Sequence, residues 1–255
     1  MLGQTSLKPV VTLYKNEGET PLECLDRFRV ESLEYKDAVL SYIGRLDPMA
    51  EGLLLVLVGE ENKNREKYLG LDKVYEVDVL FGVETDTGDV LGKVQCPTLQ
   101  TNTMSDIVQI FTSFVGMFTQ KYPHYSSKPV NGKPLFWWAR EGKLDEIEIP
   151  EKTSEIYNIK LQKQYSLKGE EILKQAEESI KKVNGDFRQQ EIIASWKENF
   201  LPNAQENFSL VTIEVHCSSG TYMRTLAEVI AKKMGTTAIA WKIKRLKVAN
   251  YSHDL

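Results

Sequence analysis

Gly44-Arg-Leu-Asp-Pro-Met-Ala-Glu-Gly52, followed by Leu53-Leu-Leu-Val-Leu-Val58, sets one carboxylate on a stiff loop just before an apolar strand. Pro48 fixes its own φ and drives Asp47 out of the helical region, while Gly44 and Gly52 permit backbone conformations that side chains disfavour. The run 53–58 is apolar at every position, which suits a strand buried on both faces. Two readings of the loop stand. It is a tight turn with a capping aspartate, the favoured reading on these residues alone, or it is a rigid mount for a catalytic carboxylate.

Upstream, Thr20-Pro-Leu-Glu23 is a capping-box pattern with proline at the first helical position, and Leu22, Leu25 and Phe28 extend a helix to about residue 31. Downstream, Tyr75, Val77, Val79 and Phe81 alternate with Glu76 and Asp78, which predicts a strand. The turn Asp86-Thr-Gly-Asp89 then returns the chain through Val90, Gly92 and Val94 as a hairpin. Ser105 can cap a helix whose apolar face carries Ile107, Ile110, Phe111 and Phe114. Residues 119–133 read as a basic, aromatic loop, and Pro134 opens a short helix, Leu135–Arg140, that stops at Gly142.

Val211, Ile213, Val215 and Cys217 share one face of a later strand, which ends at Ser218-Ser-Gly220 and leads into a helix over 221–234. Strands joined by hairpins with helices between them, and no βα repeat, predict an α+β fold on a largely antiparallel mixed sheet with flanking helices. Between residues 166 and 207 the pattern changes. Ile172, Leu173, Ala176, Ile180 and Val183 share a helical face, Gly185 breaks it, and Asp186 can cap a second helix carrying Ile193, Trp196 and Phe200. An αα-hairpin is expected, packed on the main sheet in preference to meeting RNA because its charge is mixed.

At 255 residues the chain can bury a substantial core as a single domain spanning 1–255. It carries no run near the roughly 20 apolar residues of a membrane span and no secretory-signal core, so a cytoplasmic protein without a membrane partner is expected. Cys24, Cys96 and Cys217 form no Cys-x-x-Cys pair, and His124, His216 and His253 are scattered. Reduced thiols are expected, with neither a disulfide frame nor a metal site. The net charge of −4 is awkward for a nucleic-acid partner. Lys232, Lys233, Lys242, Lys244, Arg245 and Lys247 nevertheless lie between Glu228 and Asp254 with no acidic residue among them. Local clustering of this kind, not global charge, governs phosphate contact.

Several segments together carry a resemblance. Gly44-Arg-Leu-Asp-Pro48, Lys73-Val-Tyr75, Thr85-Asp-Thr-Gly-Asp89, Tyr125-Ser-Ser-Lys-Pro-Val-Asn-Gly-Lys133, Cys217-Ser-Ser-Gly-Thr-Tyr-Met-Arg-Thr225 and Lys244-Arg-Leu-Lys-Val248 occur in the order seen in TruB-type tRNA pseudouridine synthases. Lys15-Asn-Glu-Gly-Glu-Thr20 is similar to a degraded form of that family's opening motif, and Gly59-Glu-Glu-Asn-Lys63 fits as well. The resemblance covers most of the chain apart from the inserted stretch 166–207.

The resemblance implies conversion of uridine to pseudouridine in RNA, with uridine 55 of tRNA as the expected target, and without cofactor or metal; a monomer is expected. It implies that Asp47 is the essential carboxylate, either attacking C1′ or removing a C2′ proton. Tyr75 would stack on the uracil and assist loss of the C5 proton. Arg224 would pair with Asp47, by two parallel bonds in the strongest geometry, against a competing pair with Glu228 on its own helix. Tyr222 would brace the pocket and Ile243 would pack near the base. Because a stacked uracil is out of reach, base extrusion is required. Candidates for holding the opened RNA are Tyr42, Arg45, Lys63, Lys128, Lys133, Arg140, Lys244 and Arg245.

Three departures touch RNA choice and leave the catalytic set intact. Tyr42 stands where the family usually has histidine, and Lys128 lies one residue before the usual lysine position. The chain stops seven residues after Val248, so no carboxyl-terminal RNA-binding domain is expected. Alternatives are another RNA stem-loop as substrate, or an idle RNA-binding or RNA-folding module, which would have no use for all four catalytic residues. A glycosidase would need a second carboxylate flanking the bond, and Glu51 lies outside the set the resemblance marks.

Overall fold

A computed structural model of the chain describes residues 7–97 and 107–252. The elements in order are β1 (Val10–Lys15), α1 (Pro21–Glu31), β2 (Leu40–Ile43), β3 (Glu51–Val58), α2 (Glu66–Leu69), β4 (Lys73–Phe81), β5 (Val83–Thr85), β6 (Val94–Pro97) and α3 (Ile107–Thr112). There follow β7 (Gly116–Lys121), β8 (Pro129–Val130), β9 (Lys133–Pro134), α4 (Leu135–Arg140), β10 (Glu151–Lys168), α5 (Gly169–Lys182), α6 (Gln189–Phe200), β11 (Asn207–Cys217), α7 (Met223–Lys233), β12 (Ala238–Val248) and β13 (Tyr251–Ser252).

The largest sheet runs β1-β3-β12-β4-β11-β10-β7, with β2 also paired to β3 and β13 to β12. Its pairings are antiparallel except where β12 meets β3, at Lys244 with Glu51 and Arg245 with Gly52. The α+β class with a largely antiparallel mixed sheet is therefore the observed one. β3 is buried from Gly52 to Val58, as its unbroken apolar run requires. Each fully buried leucine there contributes about 2 kcal/mol over an exposed one. No helix among the described residues is long and apolar enough to cross a membrane.

Gly52 makes the parallel crossing possible. Its φ is 106°, and a Cβ at this position would run into the backbone of Arg245. The loop before β3 is thus pinned against β12. On its other side Lys15, wholly buried at the end of β1, donates to the carbonyls of Ala50, of Pro48 at 3.2 Å and of Asn16 at 2.9 Å. The capping box on α1 is present, Thr20 Oγ1 accepting from Glu23 N at 3.2 Å and Glu23 accepting from Thr20 N at 2.7 Å.

The helical hairpin joins two neighbouring strands: Lys168, last in β10, pairs directly with Asn207, first in β11. Ile172, Ala176, Ile180, Trp196 and Phe200 are buried in the main core cluster. Trp196 stacks on Phe200 with ring centres 5.0 Å apart and donates to the Gly92 carbonyl at 3.1 Å. Packing on the main body, the expected role, is what these contacts provide.

Several local expectations need correction. The hairpin at 83–97 is made by β5 and β6 as a separate two-stranded sheet, because Gly82, at φ 79°, turns the chain out of β4. Residues 119–121, the start of the expected loop, belong instead to strand β7, whose backbone pairs with β10. Phe114 lies beyond the end of α3 and α7 begins at Met223. Asp186 does not cap α6; the cap position is Arg188, in the left-handed region at φ 61°. Cys24 and Cys217 are free and buried. The Ser105 cap, the Cys96 side chain and His253 fall outside the described residues.

Candidate active site

The Asp47-Pro48 turn closes with a bond from Ala50 N to Asp47 O at 3.0 Å, and Gly18 N donates to the Pro48 carbonyl at 2.8 Å. With Lys15 beneath and Gly52 against β12, the backbone around Asp47 is held from three sides. The Asp47 side chain is left 33% exposed. It lines a cavity of roughly 680 Å³ together with Tyr75, Tyr222, Arg224 and Ile243.

Arg224, in the first turn of α7, is almost wholly buried. Its Nε lies 2.9 Å from Asp47 Oδ2 and 3.6 Å from Asp89 Oδ2, although the N–H is not aimed at either oxygen. Its terminal nitrogens donate to the carbonyls of Thr87 at 2.8 Å and Tyr125 at 3.2 Å. The two-bond geometry expected with Asp47 is therefore absent, because the fork is occupied by backbone carbonyls. Burial opposes the arginine's charge, but Asp47 and then Asp89 more than offset it, and its pKa rises. Glu228 is not among its ion pairs in the described residues. That side chain lies against Gly88, and burial pushes its carboxyl up to about 7.

Asp89 is a site residue that the sequence reading quoted but did not assign. It is buried, and burial lifts its carboxyl to about 6 against the pull of Arg224. Its Oδ1 accepts from Thr87 Oγ1 at 2.7 Å and from Leu91 N at 2.9 Å. One guanidinium thus stands between two carboxylates that both border the cavity, Asp47 partly exposed and Asp89 buried.

Tyr75 is placed on β4 opposite Arg245 of β12 and Val215 of β11. Burial raises its phenol, with Arg245 acting in the opposite sense. Tyr222 precedes α7; its N donates to Gln120 Oε1 at 3.1 Å and its ring meets Tyr122 edge-on at 5.5 Å. Burial pushes its phenol up to about 12. Ile243, on β12, is buried in the cavity wall.

The expected RNA-contacting residues divide. Tyr42, Arg45 and Arg140 line the cavity, with Arg45 Nη2 3.2 Å from the Tyr42 hydroxyl. Lys63, Lys128, Lys133 and Lys244 are not in its lining. Lys63 pairs with Glu60, Lys128 sits 5.2 Å over Tyr122, Lys133 4.8 Å over Trp137 and Lys244 5.9 Å over Tyr14.

Arg245 is a correction. It borders the cavity but is 1% exposed, donating to Leu53 O at 2.7 Å and Gly44 O at 3.0 Å, so it props the loop that carries Asp47 from inside instead of standing at the surface for phosphates. The basic stretch 232–247 is accordingly not one surface: it divides between α7 and β12. Missed from the sequence were Tyr125, Phe136, Phe187 and Arg188, all of which line the cavity. Only the aromatic character of 119–133 hinted at the first of these.

Residues 34–179 match the family described as TruB family pseudouridylate synthase (N terminal domain). A tRNA pseudouridine synthase B of Caldicellulosiruptor saccharolyticus is 32% identical over 208 residues, 82% of this chain and 57% of that protein. The like-named protein of Ligilactobacillus salivarius is 30% identical over 244 residues, 95% of this chain and 68% of that one. A third, of Aeromonas salmonicida, is 28% identical, with 86% of this chain and 55% of that protein covered. The chain thus spans between 55% and 68% of the length of these relatives. Among solved structures, a Cbf5-Nop10-Gar1 complex is similar with a TM-score of 0.59 at 16% identity, over 96% of this chain and 50% of the matched one. An H/ACA RNP bound to a substrate RNA containing 2'-deoxyuridine gives 0.54 at 15% identity, over 96% and 49%. At such identities the likeness is one of fold.

Proposed function

The chain belongs to the TruB family of pseudouridylate synthases, and on that premise we propose that it isomerises a uridine to pseudouridine in RNA, with uridine 55 of tRNA as the substrate. The observation that carries the reading is the cavity-facing carboxylate of Asp47 beside the buried cation of Arg224, at 2.9 Å. A cavity of this size falls in the range that takes a nucleoside. Its aromatic wall suits a base drawn out of its stack.

In the reaction the N1–C1′ bond breaks, the uracil turns, C5 bonds to C1′, and the C5 proton is lost while N1 gains one. The product has the atoms of the substrate. Asp47 acts at the sugar, as nucleophile at C1′ or as base toward the C2′ proton; either role needs a fixed, ionised carboxylate. Arg224 sets its positive charge 2.9 Å from that carboxylate and fixes where it points. Tyr75 stacks on the turning base, and Tyr222 and Ile243 confine it. Arg45 and Arg140 hold the opened strand through phosphates. The enzyme acts as a monomer in the cytoplasm, where its RNA is.

The test is to incubate the purified protein with tRNA carrying tritium at uridine C5. Release of one tritium per tRNA, mapped to position 55, is expected. Release from another stem-loop RNA but not from tRNA would move the substrate, and no release from any would end the proposal.

A further inference from the structure

The turn of the helical hairpin, residues 183–188, reaches the same cavity as Asp47 and supplies Phe187 and Arg188 to its lining. This turn is fastened at several points. Arg188 Nη1 lies 2.8 Å from Asp86 Oδ2, and its guanidinium sits 4.7 Å over the Tyr125 ring. Gln189 donates to the carbonyls of Val183 at 3.0 Å and Gly185 at 2.8 Å, and accepts from Phe187 N at 3.0 Å. Arg140 Nη2 reaches the Asp186 carbonyl at 3.4 Å, and Asn184 donates to Glu23 at 3.0 Å.

The turn is strained as well as fastened. Arg188 holds φ 61°, a conformation that non-glycine residues keep only where their surroundings enforce it. Unlike Trp196 and Phe200, which are sunk in the core, Phe187 is only partly buried. A partly buried ring on a fixed backbone, lining a cavity with Arg45 and Arg140 also in its wall, is built to meet a ligand with a flat face and an adjacent anion. A nucleotide has both.

Resting on the reading that an extruded uridine occupies the cavity, we propose that Phe187 is a specificity-determining residue of the RNA site: it stacks on the base next to the reacting uridine. Arg188 is a positioning residue, fixing the turn through Asp86 and Tyr125. The hairpin is then more than packing, for its helices complete the core and its turn selects the RNA.

The experiment measures steady-state turnover and RNA affinity for wild type, Phe187→Ala, Phe187→Tyr and Phe187→Leu on tRNA carrying tritium at uridine C5. Phe187→Ala is expected to raise KM and Kd by roughly 5- to 100-fold, the range for losing one base stack, with kcat within about 3-fold. Phe187→Tyr should recover wild-type values and Phe187→Leu should not, because leucine keeps apolar bulk but has no π face. Should Phe187→Ala fail to fold, the tyrosine and leucine variants decide. Recovery by leucine as good as by tyrosine, or unchanged KM and Kd for Phe187→Ala, would overturn the proposal. Failure of the underlying reading looks different: wild type itself then releases no tritium, while the Kd series still reports on Phe187.

Discussion

Arg224 touches Asp47 through Nε alone, at 2.9 Å, while its two terminal nitrogens are bound to the carbonyls of Thr87 and Tyr125. The guanidinium is therefore a bracket between three chain segments, and its charge is delivered to the carboxylate by a rigid mount.

Arg224→Lys keeps the charge but cannot make this bracket, since an ammonium on a flexible stem replaces a planar fork. Turnover should fall on the order of 100-fold, equal to about 2.7 kcal/mol of barrier. RNA affinity should hold. Single-turnover rates at saturating enzyme check it, and near-normal rates would reduce Arg224 to a point charge.

Lys15→Met should both destabilise the protein and slow it. The substitution leaves the buried Ala50 carbonyl without its lysine donor, at about 1–3 kcal/mol, and strips the Pro48 carbonyl of one of its two donors, Gly18 N remaining. The loop they belong to carries Asp47. Thermal unfolding should show a lower Tm, and kcat should drop more than KM rises.

Glu228 gives the protein an unusual pH profile. Its folded pKa, about 7, lies above its ordinary value of 4.5, so the folded state binds more protons between those limits and stability falls as pH rises through them. Asp89, raised to about 6, adds the same sign over a narrower window. Glu228→Gln should stabilise the protein at pH 8 by on the order of 2 kcal/mol and by almost nothing at pH 4. Denaturant melts at the two pH values measure it; an equal effect at both would mean that Glu228 is not held protonated by the fold.

RNA binding should weaken with salt through Arg45 and Arg140, which line the cavity. Replacing both with alanine should flatten the slope of log affinity against log salt by about one to two units. Arg245→Ala should leave the slope alone and lower stability instead. A flattened slope for Arg245→Ala would contradict its placement inside the fold.

What the sequence disclosed was set locally. The loop at 44–52 announces itself by Pro48 and two glycines, β4 and β11 by alternation, and α1 by Thr20 and Glu23. What it concealed depends on distant pairing. Arg245 reads as one of a basic run until β12 is laid beside β3, where the chain crossing at Gly52 turns it inward. Asp89 sits in a quoted turn, but its burial against Arg224 comes from the packing of α7. Phe187 belongs to a hairpin whose helical faces are plain in sequence; that its turn reaches the Asp47 cavity follows from its bonds to Asp86, Arg140 and Glu23.

The most direct test of Asp47 as the reacting carboxylate is tritium release by Asp47→Asn, set beside its RNA affinity and melting curve. Asparagine keeps the size and turn preference of aspartate but is neither nucleophile nor base at C1′ or C2′. A protein that melts and binds RNA like wild type while releasing less than about one per cent of its tritium, a barrier higher by about 2.7 kcal/mol or more, is the expected result. Substantial turnover by Asp47→Asn would make Asp47 a turn residue and contradict the assignment.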